Sequence, residues 1–257
     1  MNASRLYEHQ TWAEVAAAAE RGAGVILPLG AIEQHGPHLP LDTDSYLARE
    51  LALAGSAGHD ILVASMVPYG YRSRPLSGGG PAFPGTLSLS GSTFVAVASE
   101  ILNGLIDHGF RRLLVYAWHM ENQNFAYEAA YLAASGRDDV KAVVMEAPFD
   151  SLSEETMDAL YGGDFPGWPA EHASVMETSL MLRLRPELVD MAKAVDDRAE
   201  REPPYDVIPP PADMTTRSGV LFKATRGTPE NGARALVEIS SHLARVLDAE
   251  FPELRLR

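Results

Sequence analysis

The chain contains no cysteine. That excludes disulfides, thiolate metal sites and a thiol nucleophile, so a metal here must be held by His and carboxylate. Long apolar runs are also missing. The longest are strand-length, far short of the ~20 residues that span a bilayer. The opening stretch MNASRLYEHQTW lacks the basic start and apolar segment of a signal peptide. The expectation is a cytoplasmic protein with no membrane partner. Positive charge is scarce: 21 Lys and Arg face 35 Asp and Glu, for a formal net charge of -14. This argues against nucleic acid as a partner, because phosphate binding needs a basic patch. No G-x-S-x-G motif appears, which weakens a Ser-His-Asp reading. The run Ser77-Gly78-Gly79-Gly80 is followed by no Lys, so it is not a phosphate loop. Its glycines suit close approach of backbone to a small ligand.

Hydrophobic residues make up 46% of the 257, enough for one sizeable core, and residues 1–257 are read as a single domain. Thr11-Trp12-Ala13-Glu14 has the form of a capping box, opening a helix that ends near Gly22. Buried strands are expected at 23–30, 61–67, 111–118 and 140–146. Helices are expected at 43–54, 92–108, 122–134 and 171–184, and from Pro229 onward. Residues 68–91 form a long loop rich in Gly and Pro, which suits a binding loop. Residues 147–170 read as a loop or lid holding a short helix at 153–160, and 203–213 as an extended surface arm. Strands alternating with helices predict a three-layer α/β/α sandwich around a mainly parallel sheet.

Two clusters of metal-ligand residue types fall where expected strands meet loops. The first is Glu33-Gln34-His35, with Asp42 and Asp44 close behind; the second is His119-Met120-Glu121. Glu33 and His35 stand two apart, as do His119 and Glu121. In extended chain that spacing puts both side chains on one side. Open α/β sheets bind ligands beyond the carboxyl ends of their strands. Two His and three carboxylates there suit two divalent cations. Spacing does not choose between Asp42 and Asp44, since either serves as the next helix's N-cap. His172 and Glu177 lie five apart, about 140° around a helix, and need not share a face. His38 reads as a loop residue; His9, His59, His108 and His242 read as surface groups.

The landmarks LPLGAIEQHGPHLPLDTD, YGYRSRPLSGGGPAFPGTLSL, HMEN, GWPAEHASVMETSLML and PPYDVIP follow one another through the chain. In that order they resemble the creatininase (creatinine amidohydrolase) family. The resemblance implies a creatininase-like α/β sandwich, a homohexamer, and two divalent metals per chain, zinc or zinc with manganese. It implies that Glu33 and His119 bind one metal, His35 and Glu121 the other, and that Asp44 bridges them. It further implies His172 as the catalytic His, Glu177 as the acidic residue after it, Trp168 as a cover over the substrate, and Ser77 as a loop residue near it.

Four positions depart from the family's pattern. Met120 stands for a Tyr, Pro148 for a flap Trp, Pro169 for an Asp, and Ala117-Trp118 for Asn-Gly. The expected metal ligands are intact while substrate-contacting positions differ. The function expected is a metal-dependent hydrolase that opens a small cyclic amide, creatinine-like or a related lactam. Glu121 shuttles the proton in this reading, and Trp118, Met120 and Trp168 shape the substrate pocket. The alternatives are a formamide deformylase, a lactone or cyclic-ketone hydrolase, or a catalytically silent partner subunit.

Overall fold

Successive residues of a strand face opposite ways, and in this protein that divides the core in two. The computed structural model describes residues 5–146 and 151–256. Four strands, β1 (Gly24–Leu29), β2 (Ile61–Val63), β3 (Arg112–Ala117) and β4 (Lys141–Glu146), pair in parallel in the order β2-β1-β3-β4. Ile26, Leu114 and Tyr116 join one apolar cluster; Val25, Leu27, Leu113 and Val115 join a second on the other face.

Helices cover both faces. The first cluster is closed by α2 (Thr43–Gly55), α5 (Glu154–Tyr161), α6 (Val175–Leu184) and α7 (Pro229–Glu250). The second is closed by α1 (Trp12–Glu20), α3 (Gly91–Asp107) and α4 (Gln123–Ala134). On α7 the buried Ala235, Ile239, Leu243 and Leu247 recur every fourth residue, one stripe of the helix. Burying a Leu or Ile fully is worth roughly 1.5–3 kcal/mol. The capping box is present on α1: Thr11 and Glu14 each bond the other's backbone N–H. The three-layer sandwich and its parallel sheet are as the sequence led us to expect.

Two elements differ from that expectation. Strand β2 is three residues long, not seven. Pro28 on β1 has no N–H to offer toward this neighbour, though its carbonyl accepts from Val67. The ladder therefore loses a rung and the chain departs. Helix α6 starts at Val175 rather than at 171. Ala173 sits at φ 52°, in the left-handed region, and a helix cannot run through it. Pro148 lies outside the described residues.

Candidate metal centre

The candidate residues converge beyond the carboxyl ends of β1 and β3. Glu33 and His35 follow β1, Asp44 lies in the first turn of α2, and His119 and Glu121 follow β3. His172 precedes α6 and Glu177 lies in its first turn. All seven are buried, Glu121 being the most exposed at 9%. Buried carboxylates need positive charge nearby. Among the described residues their ion-pair partners are imidazoles, with no Lys or Arg.

Asp44 stands between two groups. Its Oδ2 lies 3.2 Å from His119 Nδ1, which is also 3.2 Å from Glu33 Oε2. Its Oδ1 lies 3.3 Å from His35 Nε2, which is 3.6 Å from Glu177 Oε2. Glu33, Asp44 and His119 offer ligand atoms all within 4.8 Å of one another, and so do His35, His172 and Glu177. Asp42 precedes α2 without a capping bond from its side chain.

The backbone fixes which nitrogen each imidazole presents. His119 Nε2 lies 2.8 Å from the Tyr71 carbonyl, and His35 Nδ1 lies 3.0 Å from the Glu33 carbonyl. A carbonyl only accepts, so each of these nitrogens carries the proton. In the neutral ring the other nitrogen is a lone pair facing carboxylates. Lone pair against anion is repulsive unless a cation lies between them. Glu33 Oε2, His35 Nε2 and Asp44 Oδ2 are buried with no hydrogen-bond partner. The donor set of nitrogen and oxygen, the unpaired atoms and the fixed tautomers all fit a pair of divalent cations.

Protonation reports the same field. Burial disfavours charge on His35, but Asp44 and Glu177 outweigh it and raise its pKa well above the ordinary value. Burial is likewise outweighed at His119, by Glu33, Asp44 and Glu121. Burial pushes the Asp44 carboxyl up, yet His35 and His119 hold it well below the usual range. Burial and neighbouring Glu177 push Glu171 up to about 8, so it keeps its proton near neutrality.

The long loop explains how the carboxylates are held. Ser73 Oγ donates to Glu33 Oε1, and Ser77 Oγ donates to Glu121 Oε1. A side chain on Gly80 would place its Cβ 2.5 Å from Glu33 Oε1. The glycine run thus lets backbone approach a buried carboxylate. Asn122 ties this loop to the end of β1: its Oδ1 accepts from Tyr71 N–H and its amide donates to the Gly30 carbonyl.

His172 and Glu177 meet because the left-handed turn at Ala173 places the His before the helix. The Ala173 N–H donates to Glu177 Oε2, and the Met176 N–H donates to Glu171 Oε1. These bonds cap α6 in place of an N-cap side chain. His172 Nε2 lies 2.8 Å from the Gln34 carbonyl, so it donates there. Gln34 Nε2 also approaches it to 3.0 Å, but spends its hydrogens on the carbonyls of Gly78 and Gly219.

A cavity over this cluster is lined by Ser77, Met120, Trp168 and Pro169, together with Trp118, Glu171 and Met176. His172, Glu177, His119, Glu121 and Asp44 face into it. Glu121 Oε2 stands 3.5 Å from His119 Nε2. Trp118 is 5% exposed and its indole N–H is committed to Glu177. Gln34, Ser73, Asn122 and Glu171 were not singled out from sequence, although each sits in or next to a quoted landmark. His59, read as a surface group, is buried at 3% and bonds Asp248. His38 is buried too, with Nε2 2.8 Å from Thr178 Oγ1.

The sequence profile of creatininases, described as creatinine amidohydrolase, matches residues 8–247. The chain belongs to the creatininase family. It is 37% identical over 248 residues to the creatinine amidohydrolase of Pseudomonas putida, covering 94% of this chain and 95% of that protein. It is 25% identical over 255 residues to the 3-dehydro-scyllo-inosose hydrolase of Thermotoga maritima, covering 90% and 80%. A mycofactocin precursor peptide peptidase of Mycolicibacterium smegmatis is 32% identical over 176 residues, 63% of this chain and 58% of that one. A solved manganese creatininase has a TM-score of 0.92 at 36% identity, covering 97% of this chain and 100% of its own. A creatininase mutant complexed with creatine gives 0.93 at 35%, with the same coverage of 97% and 100%. Creatininase-family proteins are hydrolases, and these relatives are named for different substrates. No helix among the described residues is long and apolar enough to cross a membrane.

Proposed function

We propose that this chain is a binuclear metal-dependent amidohydrolase that opens a small cyclic amide. The carrying observation is the pair of imidazoles, His35 and His119, whose Nε2 and Nδ1 respectively face the two oxygens of one buried Asp44 carboxylate. Glu33, Asp44 and His119 would hold one cation in this reading. His35 and Glu121 would hold the other, with Asp44 common to both. The resemblance assigns Glu121 to the second cation, and Glu177 Oε2 lies 3.6 Å from His35 Nε2 beside it. Zinc, or zinc with manganese, suits a set of imidazole and carboxylate without thiolate.

When bound, the cations supply a water acidic enough to ionise near neutral pH and an electrophile for the substrate carbonyl. Glu121 accepts the water's proton. Ser77 holds its Oε1, which leaves Oε2 for that exchange. The water oxygen forms a bond to the carbonyl carbon, and the carbon–nitrogen bond breaks. His172 gives a proton to the leaving nitrogen. Its Nε2–H is held on the Gln34 carbonyl, so Nδ1 is the nitrogen that exchanges. Trp168 and Met120 wall the substrate, and Pro169 offers it no hydrogen bond.

The test is elemental analysis of gently purified protein, with turnover of lactams, hydantoins, creatinine, formamides and lactones. Two divalent ions per chain and ring-opening of a cyclic amide are expected. Full activity in metal-free protein overturns the metal assignment. Metal content with no turnover across the panel overturns the enzymatic one.

A further inference from the structure

We propose that Gln34 is a positioning residue for His172, holding its ring directly and its backbone through the turn at Gly219. This rests on the reading of His172 as the proton donor given above.

Gln34 lies on the loop after β1 and is 5% exposed. A buried amide must pair its donors and its oxygen, or lose the energy of those bonds. Here every group is paired. Nε2 donates to the Gly78 carbonyl at 2.6 Å and to the Gly219 carbonyl at 2.9 Å. Oε1 accepts from the Gly36 N–H at 2.9 Å, and the Gln34 N–H donates to Thr86 Oγ1 at 3.0 Å. The Gln34 carbonyl accepts from His172 Nε2 at 2.8 Å. The side chain thus ties the loop after β1 to the glycine run and to the segment around Gly219, both far away in the chain.

The tie to Gly219 leads back to His172. Gly219 sits at φ 84°, and a Cβ there would overlap the Gln34 amide. Glycine lets the turn come this close. Its N–H is held by Thr216 Oγ1 at 3.1 Å. Further along the same turn the Leu221 N–H donates to the His172 carbonyl at 3.2 Å, and Val220 packs with Ala173 in a small buried cluster. Gln34 therefore closes a circuit. Its carbonyl holds the His172 ring, and its amide holds the turn that holds the His172 backbone. The imidazole is left one orientation and one tautomer, with the proton on Nε2 and Nδ1 left for exchange. A misplacement of about 1 Å in such a group costs on the order of 10²-fold in rate.

Gln34→Met keeps the length of the side chain and removes its hydrogen bonds. Zinc-loaded protein carrying isotope-labelled histidine is read by NMR, the His172 signals being those missing from His172→Ala. Wild type should show His172 in the Nε2–H tautomer alone. Gln34→Met should show a mixture of tautomers, and kcat lower by on the order of 10²-fold, with KM and metal content close to wild type. An unchanged tautomer overturns the positioning role, whatever the rate. So does a wild-type kcat, or a loss confined to KM. Loss of metal ions from Gln34→Met means that the side chain steadies its neighbours Glu33 and His35 instead, and also overturns the proposal. If His172→Ala turns over as fast as wild type, the proton-donor reading itself fails. Should Gln34→Met not fold, Thr216→Val decides, since it loosens the Gly219 turn from the far side. It should mix the His172 tautomers in the same way; a single Nε2–H tautomer in that variant contradicts the circuit.

Discussion

Asp44 Oδ1 lies 3.3 Å from His35 Nε2, while the other oxygen of the same carboxylate faces the imidazole of His119. One side chain therefore belongs to both halves of the site. Asp44→Ala is expected to bring metal content from about two ions per chain to near none, whereas Glu33→Ala should lose about one. Elemental analysis of the two variants, with circular dichroism to confirm folding, separates these outcomes. Retention of both ions by Asp44→Ala would show that the carboxylate does not bridge.

His172→Ala should lower turnover by about 10²–10⁴-fold, the range for losing a general acid. Metal content should stay at the wild-type level, because its Nε2–H is spent on the Gln34 carbonyl. His172 nevertheless lies in one group with His35 and Glu177. Loss of an ion in this variant would make His172 a ligand.

The site ties metal affinity to pH. His35 and His119 are raised well above the ordinary imidazole value by their carboxylate neighbours, and each must give up its proton to accept a cation. Affinity for zinc should therefore rise steadily as pH increases from about 6 to about 8. Calorimetry in buffers of different ionisation enthalpy should show protons released on binding. A flat pH profile would argue against displacement of imidazole protons.

The metal-free protein should show the opposite dependence. A raised folded-state pKa on His35 and His119 contributes stability that is complete below the ordinary imidazole value of about 6.5. That stability is lost as pH rises through the raised folded values, because deprotonation leaves buried carboxylates without a counter-charge. The melting temperature of stripped protein should fall toward alkaline pH, and added zinc should restore it. An alkaline melting temperature equal to that at neutrality would place the imidazole protons elsewhere.

Creatinine should not be the preferred substrate. Met120 and Pro169 line the cavity without hydrogen-bond donors. A polar substrate group left unpaired costs roughly 1–3 kcal/mol. Two such losses amount to about two to four decades in discrimination. Steady-state kinetics on creatinine beside lactams, hydantoins, formamides and lactones measures this. A kcat/KM for creatinine above all others would show that the substitutions are tolerated.

The sequence by itself determined the layers and the chemical character of the site. Strand-length apolar runs between amphipathic helices leave few ways to bury both faces of a parallel sheet, and α7 shows its stripe in plain fourfold spacing. The absence of Cys restricted the ligands to imidazole and carboxylate. The two-residue spacing at Glu33/His35 and at His119/Glu121 marked two of the strand ends that build the site. Tertiary structure alone decided the partnerships. Helical geometry left open whether His172 and Glu177 share a face; the left-handed turn at Ala173 takes His172 out of the helix and brings the pair together. Ser73 and Asn122 carry no signal of their own, because hydroxyl and amide groups become informative only when a buried carboxylate or carbonyl is placed against them. Trp118 reads in sequence as a wall for substrate. In the fold it does line the cavity, and its ring also packs in the core with its one donor on Glu177. Such pairings join residues distant in the chain, whose spacing records nothing of their contact.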